Sequence, residues 1–242
     1  MLHIPHSSRV VPREERKNLV LDDTDLKREL LRMTDAFTDE LFSPTLFEAA
    51  RVVFPISRLI CDVERFIEDA EEPMAARGMG VVYVTTTEGG ALRQNLTPLE
   101  RTRIIERWYT PHHEALTLAV DRADSKGHFC IIVDCHSFSS RPLPHEPDQD
   151  PQRPDVCIGT DNFHTPTELR DALVTAASSA GLSVLVDRPF AGVLVPAKHY
   201  RTNGRVKAVM NPSGVREVDY IQSEDQVELR YVGHFAASVR WP

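Results

Sequence analysis

The run Ile131-Ile132-Val133, followed at once by Asp134-Cys135-His136-Ser137, constrains this chain more than any other stretch. Phe129 to Val133 is short, rich in β-branched side chains and free of polar interruption, the pattern of a central strand buried on both faces. His136 is therefore expected at or just past the carboxyl end of that strand, where open α/β sheets bind their ligands. Asp134 and His136 are two residues apart and share a face for as long as strand geometry lasts.

A second segment ends the same way. Leu2-His3-Ile4-Pro5-His6-Ser7 is a brief apolar strand that stops at a histidine followed by serine. Two strands ending in His-Ser suggest two nitrogen ligands at one sheet edge, and a catalytic zinc site takes three protein ligands plus a water. An oxygen ligand is available in Thr34-Asp35-Ala36-Phe37-Thr38-Asp39, where Asp35 and Asp39, four apart, would share a helix face.

Around these segments strands and helices alternate. Asp25 to Phe42 has helical spacing with a break near Thr34, and Arg51 to Phe54, Leu59 to Val63 and Val81 to Val84 are strand-like. Thr97-Pro98-Leu99-Glu100 is a capping box that should start a long helix towards Asp124, and Thr165-Pro166-Thr167-Glu168 repeats the device before a helix that Gly181 should end. Ser183 to Asp187 is a further strand. This order predicts an α/β fold, a mostly parallel or mixed central sheet with helices on both faces. The proline-rich stretch Ser139 to Pro154 is too polar for a core and is expected to form a loop over the pocket.

At 242 residues the chain fits one domain, 1–242, large enough for a sizeable core. The net charge of −8 is spread without long blocks, which argues against a nucleic-acid or membrane surface as partner, so an anionic ligand would need local arginines. Cys61, Cys130, Cys135 and Cys157 lie in apolar segments without CxxC spacing, as expected of buried reduced thiols. The absence of a leader-like opening or of a long apolar run points to a soluble, cytoplasmic protein.

His-Ile-Pro-His-Ser-Ser at 3 to 8, Met-Thr-Asp-Ala-Phe-Thr-Asp-Glu-Leu-Phe at 33 to 42, Ile-Ser-Arg-Leu-Ile-Cys-Asp-Val-Glu-Arg-Phe at 56 to 66, Asp-Cys-His-Ser at 134 to 137 and Pro-Asp-Val-Cys-Ile-Gly-Thr-Asp at 154 to 161 together resemble the N-formylglutamate amidohydrolase family, in order and from residue 2 to about 210. The resemblance implies a zinc-dependent amidase related in fold to the zinc carboxypeptidases. It makes His6 and His136 zinc ligands, with an aspartate from 35 to 39 as the third. Asp35 is preferred, because Asp39 lies a turn further on and could instead orient the site; Asp134 would hold a ligand imidazole in its tautomer.

The implied substrate is a small anionic N-acyl amino acid, N-formyl-L-glutamate, cleaved to glutamate and formate. Its two carboxylates suit guanidinium groups, and Arg58 and Arg65 are the candidates, unless they pair with Asp62, Glu64 or Glu68. Arg93, the Arg188 to Gly192 segment and Tyr200 are further candidates. His112 and His113 are adjacent on a helix and diverge by about 100°, so structural or surface roles are expected for them. The carboxyl-terminal tail, 211–242, departs from the family pattern. Where the family has a glutamate that resembles the general base of zinc peptidases, Asn211-Pro212-Ser213-Gly214 is turn-forming, and the nearest carboxylate is Glu217. Glu217 is the candidate base; the competing reading is a catalytically impaired member that binds an acidic metabolite.

Overall fold

The computed structural model of the chain describes residues 1–42, 49–125, 127, 129–214, 221–223 and 226–228, with side chains described up to residue 210. Its main sheet orders six strands as β2-β1-β3-β6-β4-β5, from β1 (Leu2–Ile4), β2 (Arg51–Val53), β3 (Cys130–Phe138), β4 (Val156–Ile158), β5 (Val184–Val186) and β6 (Val206–Gly214). Every pairing is parallel except β4 with β6. The fold is α/β with a mostly parallel sheet, as the alternation of elements predicts. A separate hairpin joins β7 (Ile221–Ser223) and β8 (Gln226–Glu228).

Period-two alternation in β3 sets which helix covers which face. Cys130 and Ile132 pack with Val206, Ala208 and Val120 of α5 (Thr110–Asp124), whereas Ile131 packs with Val209 and Leu169 of α6 (Thr167–Ser179). Helices therefore lie on both faces of the sheet. Asp134 and His136 share the parity of Cys130 and Ile132, so they face the α5 side.

The capping box at Thr97 forms in full and opens α4 (Pro98–Ile104). A π turn over Ile105–Tyr109 connects it to α5. Pro111, in the first turn of α5, has no N–H to give the preceding turn, and the π turn sits next to that gap. At the second predicted box, Thr165 makes no cap for α6; its hydroxyl donates to Ala208 O at 2.6 Å, which ties the helix start to β6. Gly181, with φ 80°, does end α6.

Three other expectations fail locally. Leu59 to Val63 and Val81 to Val84 are not strands, although Leu59, Ile60, Cys61, Val63, Val81 and Tyr83 are fully buried. Both edges of β1 are already taken by β2 and β3, and a buried arginine serves their carbonyls instead: Arg93 donates to Tyr83 O at 2.7 Å, Leu59 O at 3.1 Å and Ile60 O at 3.3 Å. Arg93 is thus a structural residue. Asn211 to Gly214 is not a turn but the end of β6, in register with Cys135 to Phe138, because strands on both sides of β6 offer ladder partners that override local turn preference. Finally, β3 runs to Phe138, so His136 lies inside the strand.

All four cysteines are buried and free. No helix among the described residues is long and apolar enough to cross a membrane. Gly159 forms the bridge between β4 and β6 at Met210, where an added Cβ would collide with the Met210 side chain and the Gly192 carbonyl.

Candidate metal and active site

His6, Asp35 and His136 converge, all buried, with one potential ligand atom from each within 4.8 Å of the others. His6 follows β1 by two residues. Asp35 does not stand on a helix: α2 (Asp23–Met33) ends at the extended Thr34, and α3 (Thr38–Leu41) starts after Phe37, which is left-handed at φ 62°. The break is pinned by Asp35 N–H to His6 O at 3.0 Å, by Thr38 Oγ1 to Asp35 O at 2.9 Å and by Ser137 Oγ to Ala36 O at 2.9 Å. The shared helix face expected for Asp35 and Asp39 is therefore absent. Asp39 is exposed on α3, it does not line the cleft, and its backbone carbonyl takes a hydrogen bond from Arg51.

Each imidazole has its Nε2 on a carboxylate and its Nδ1 turned to Asp35. His6 Nε2 donates to Asp62 Oδ1 at 2.9 Å, which leaves Nδ1 buried, without a hydrogen-bond partner among the described residues and 3.7 Å from Asp35 Oδ2. His136 Nδ1 lies 2.8 Å from Asp35 Oδ2, while its Nε2 faces Glu64 Oε1 at 3.1 Å and Asp134 Oδ1 at 3.3 Å. An imidazole held at Nε2 by a carboxylate presents the Nδ1 lone pair, the arrangement by which proteins orient metal-ligating histidines.

Electrostatics follow from this crowding. Burial and the Arg58 guanidinium disfavour charge on His6, but Asp62, Glu64 and Asp35 outweigh them and its pKa is raised. Burial opposes charge on His136 too, yet Glu64, Asp134 and Asp35 lift its pKa well above the usual value. Although burial acts the other way, the neighbouring cations hold Asp35, Asp62 and Asp134 low. Such a set of anionic oxygens around neutral-capable nitrogens can hold a divalent cation of borderline softness.

A cleft of about 660 Å³ opens over the triad. Its lining includes Arg58, Glu64, Arg65, His145, Phe190 and Tyr200. Arg58 donates to Asp62 Oδ2 through Nη2 at 2.7 Å and Nε at 3.1 Å, and Nη1 lies 3.7 Å from Asp35 Oδ1. Arg65 is held more loosely, 3.4 Å from Asp62 and 3.6 Å from Glu72. Both arginines thus do pair with Asp62, and both still line the cleft. The 139–154 loop contributes Ser139, Leu143, His145 and Glu146 to its wall, and burial together with Arg58, Arg65 and Arg77 pushes the His145 pKa down to about 4. Ala191 to Val195 line the cleft, while Arg188 turns out to Asp148 and Asp150.

Sequence reasoning placed Asp62 and Glu64 only as ion-pair partners and passed over His3. Asp62 is the hub, accepting also from Tyr83 Oη at 2.5 Å. Two acids, Asp62 and Glu64, set in an apolar run between two arginines, Arg58-Leu59-Ile60-Cys61-Asp62-Val63-Glu64-Arg65, were the available signal. As expected, His112 and His113 do not join the triad: His113 donates to Val63 O at 2.7 Å, and His112 meets His3. Glu217 lies outside the described residues.

The family model of N-formylglutamate amidohydrolase matches residues 1–210. No curated protein matches the chain significantly. Among solved structures, an N-formylglutamate amidohydrolase from Ralstonia eutropha superposes with a TM-score of 0.75 at 21% identity, covering 91% of this chain and 82% of that one. A gene product from Agrobacterium tumefaciens superposes with a TM-score of 0.66, also at 21% identity, over 88% of this chain and 79% of its own.

Proposed function

The chain belongs to the N-formylglutamate amidohydrolase family, and from that premise we propose that it is a zinc-dependent hydrolase that cleaves N-formyl-L-glutamate to glutamate and formate. The observation that carries the metal is His6 Nδ1, buried beside Asp35 and His136 and without a hydrogen-bond partner among the described residues. Buried polar atoms are nearly always satisfied, so an orphan nitrogen aimed at two other ligand atoms fits a cation. His6, Asp35 and His136 would hold it, leaving an open position as catalytic sites do. Bound there, zinc supplies Lewis acidity at the amide carbonyl and lowers the pKa of a water to about 7.

The chain's own residues do the rest. Asp62 and Asp134 hold the ligand imidazoles by their Nε2 atoms. Arg65, and Arg58 where its bonds to Asp62 allow, receive the substrate carboxylates in the cleft. The 139–154 loop shields the reacting centre from water. Glu217 is proposed as the carboxylate that takes the water proton and passes it to the leaving nitrogen, an assignment carried by resemblance.

A second reading, a binding protein without turnover, is favoured by one fact: the family match ends at residue 210, before Glu217. Formate release from N-formyl-L-glutamate, with and without a chelator, decides between them, alongside zinc content. About one zinc per chain and chelator-sensitive formate release are expected. Asp35→Ala should lose the metal and Asp39→Ala should keep it. Zinc retained by both His6→Ala and His136→Ala would sink the metal assignment.

A further inference from the structure

Two imidazoles beside the triad have no part in the scheme above. We propose that His3 is a positioning residue for the metal centre: it anchors Asp134, and through Asp134 it fixes which nitrogen His136 offers to the ion. The proposal rests on the metal-binding reading.

Strand register puts the pair together. His3 on β1 is the ladder partner of Asp134 on β3, and paired residues of parallel strands point to the same face. That face is the one α5 covers, and α5 brings His112. His3 Nδ1 lies 2.7 Å from Asp134 Oδ1, and His3 Nε2 lies 2.9 Å from His112 Nε2. His3, Asp134 and His112 are all buried, so each contact must be an honest donor and acceptor pair.

The geometry fixes the direction of the His3–Asp134 bond. Asp134 acts as an acceptor on both oxygens: Oδ2 takes the Leu194 N–H at 3.0 Å, and Oδ1 faces the His3 and His136 rings. A carboxylate oxygen so placed takes a proton-bearing nitrogen at 2.7 Å, so His3 Nδ1–H donates to it. Burial and the nearby His3, His113 and His6 rings push the His112 pKa down to about 2, so His112 is neutral. The His3–His112 bond runs either from His112 Nε2–H to His3 or from His3 Nε2–H to His112, and both directions leave His3 Nδ1–H on Asp134.

Asp134 Oδ1 is thereby shared between His3 Nδ1–H and His136 Nε2, and Oδ2 accepts Leu194 N–H at 3.0 Å. Both oxygens are fixed. With its Nε2–H drawn to Glu64 Oε1 at 3.1 Å and Asp134 Oδ1 at 3.3 Å, His136 turns Nδ1 to Asp35 at 2.8 Å, inside the triad. Without His3, Asp134 loses its shortest bond and with it the orientation that selects this tautomer.

His3, Glu64 and Asp134 also have potential ligand atoms within 4.8 Å of one another. Both ring nitrogens of His3 are engaged, however, Nδ1 with Asp134 and Nε2 with His112, whereas His6 in the triad keeps a ring nitrogen without a hydrogen-bond partner among the described residues.

The test uses the full-length zinc-loaded protein. Its ¹⁵N-histidine NMR spectrum should show His3 protonated at Nδ1 and His136 protonated at Nε2. His3→Asn, whose amide nitrogen replaces Nδ1, should hold zinc within about threefold of wild type by chelator competition. His3→Gln, whose amide nitrogen replaces Nε2, should bind about 10- to 100-fold more weakly, with a shifted d–d spectrum after cobalt substitution. An unprotonated His3 Nδ1 overturns the proposal, as does a second zinc per chain, His3→Gln equal to wild type, or His3→Asn as weak as His3→Gln. A wild-type chain that takes up no zinc overturns the metal reading itself, and the proposal with it.

Discussion

Asp62 accepts the Nε2–H of His6 at 2.9 Å on one oxygen while its other oxygen carries the Arg58 guanidinium at 2.7 Å. One carboxylate thus couples the orientation of a candidate metal ligand to the charge balance of the cleft.

Asp62→Asn should weaken zinc binding by about 10- to 100-fold, because the His6 tautomer loses its charged acceptor. It should also lower stability by about 3 kcal/mol or more, since the partly buried Arg58 and Arg65 lose their shared, fully buried counter-ion. Chelator competition and denaturant unfolding measure the two effects. Wild-type zinc affinity in this variant would mean that Asp62 serves the arginines alone.

Arg65 and Arg58 should separate in kinetics. Arg65 makes only long contacts and its Nε has no hydrogen-bond partner, so Arg65→Met should raise KM for an acidic N-acyl amino acid by about 10- to 100-fold and leave zinc content unchanged. Arg58 is bound to Asp62 twice, so Arg58→Met should raise KM and weaken zinc as well. Steady-state kinetics with zinc analysis checks this, and an unchanged KM in both variants would remove the arginines from substrate binding.

Metal and protons should compete at the triad. The raised pKa values of His6 and His136 mean that zinc displaces bound protons, so affinity should fall on acidification by up to about a hundredfold per pH unit while both rings are protonated. In the metal-free protein the sign reverses. A raised folded pKa contributes stability that is complete below the free-imidazole value of about 6.5 and is lost as pH rises through the folded pKa. The lowered carboxylates act at the other end: their contribution is present above about 4 and is lost as pH falls through their folded values. Metal-free stability should therefore decline above neutrality, and zinc-loaded stability should not. Thermal unfolding across pH with and without chelator measures it; parallel profiles would contradict a proton–metal exchange at these rings.

The strand that carries His136 was legible, although not its end at Phe138, because an uninterrupted β-branched run allows little else, and the capping box at Thr97 was legible because its chemistry is local. Leu59 to Val63 was not. Its apolar pattern records burial, which is real, but the backbone there is satisfied by Arg93, thirty or more residues away, and no window of sequence displays such a bond. The same holds for the site. His6 and His136 carried their signal in strand-end context, whereas Asp62 and His3 act through contacts spanning 56 and 131 residues.

Arg93 should accordingly be among the costliest single replacements outside the cleft. Arg93→Met strands three buried carbonyls at about 1–3 kcal/mol each, and a loss of at least about 3 kcal/mol, or a Tm drop of roughly 6–12 °C for a chain of this size, is expected. Arg93→Lys should rescue little, because an ammonium cannot reproduce the planar fork that reaches Tyr83, Leu59 and Ile60 together. A Tm within two degrees of wild type for Arg93→Met would show that water replaces the guanidinium.

The identity of the proton acceptor turns on two glutamates. Glu64 lines the cleft beside the triad, 3.1 Å from His136 Nε2 and 3.6 Å from His6 Nδ1, and a carboxylate so engaged with the ligand rings serves to hold them rather than to accept a proton from water. Glu217 is assigned by resemblance. Loss of a positioned proton shuttle costs about 10² to 10⁴ in rate, while zinc alone still polarises the carbonyl. Glu217→Gln should therefore retain zinc and lose about 10²- to 10⁴-fold in kcat, and Glu64→Gln should keep at least about a tenth of wild-type kcat with altered zinc affinity. The reverse pattern would make Glu64 the base. A wild-type chain that holds zinc stoichiometrically and releases no formate would instead favour a binding protein, the reading in which a tail that departs from the family pattern has lost the base.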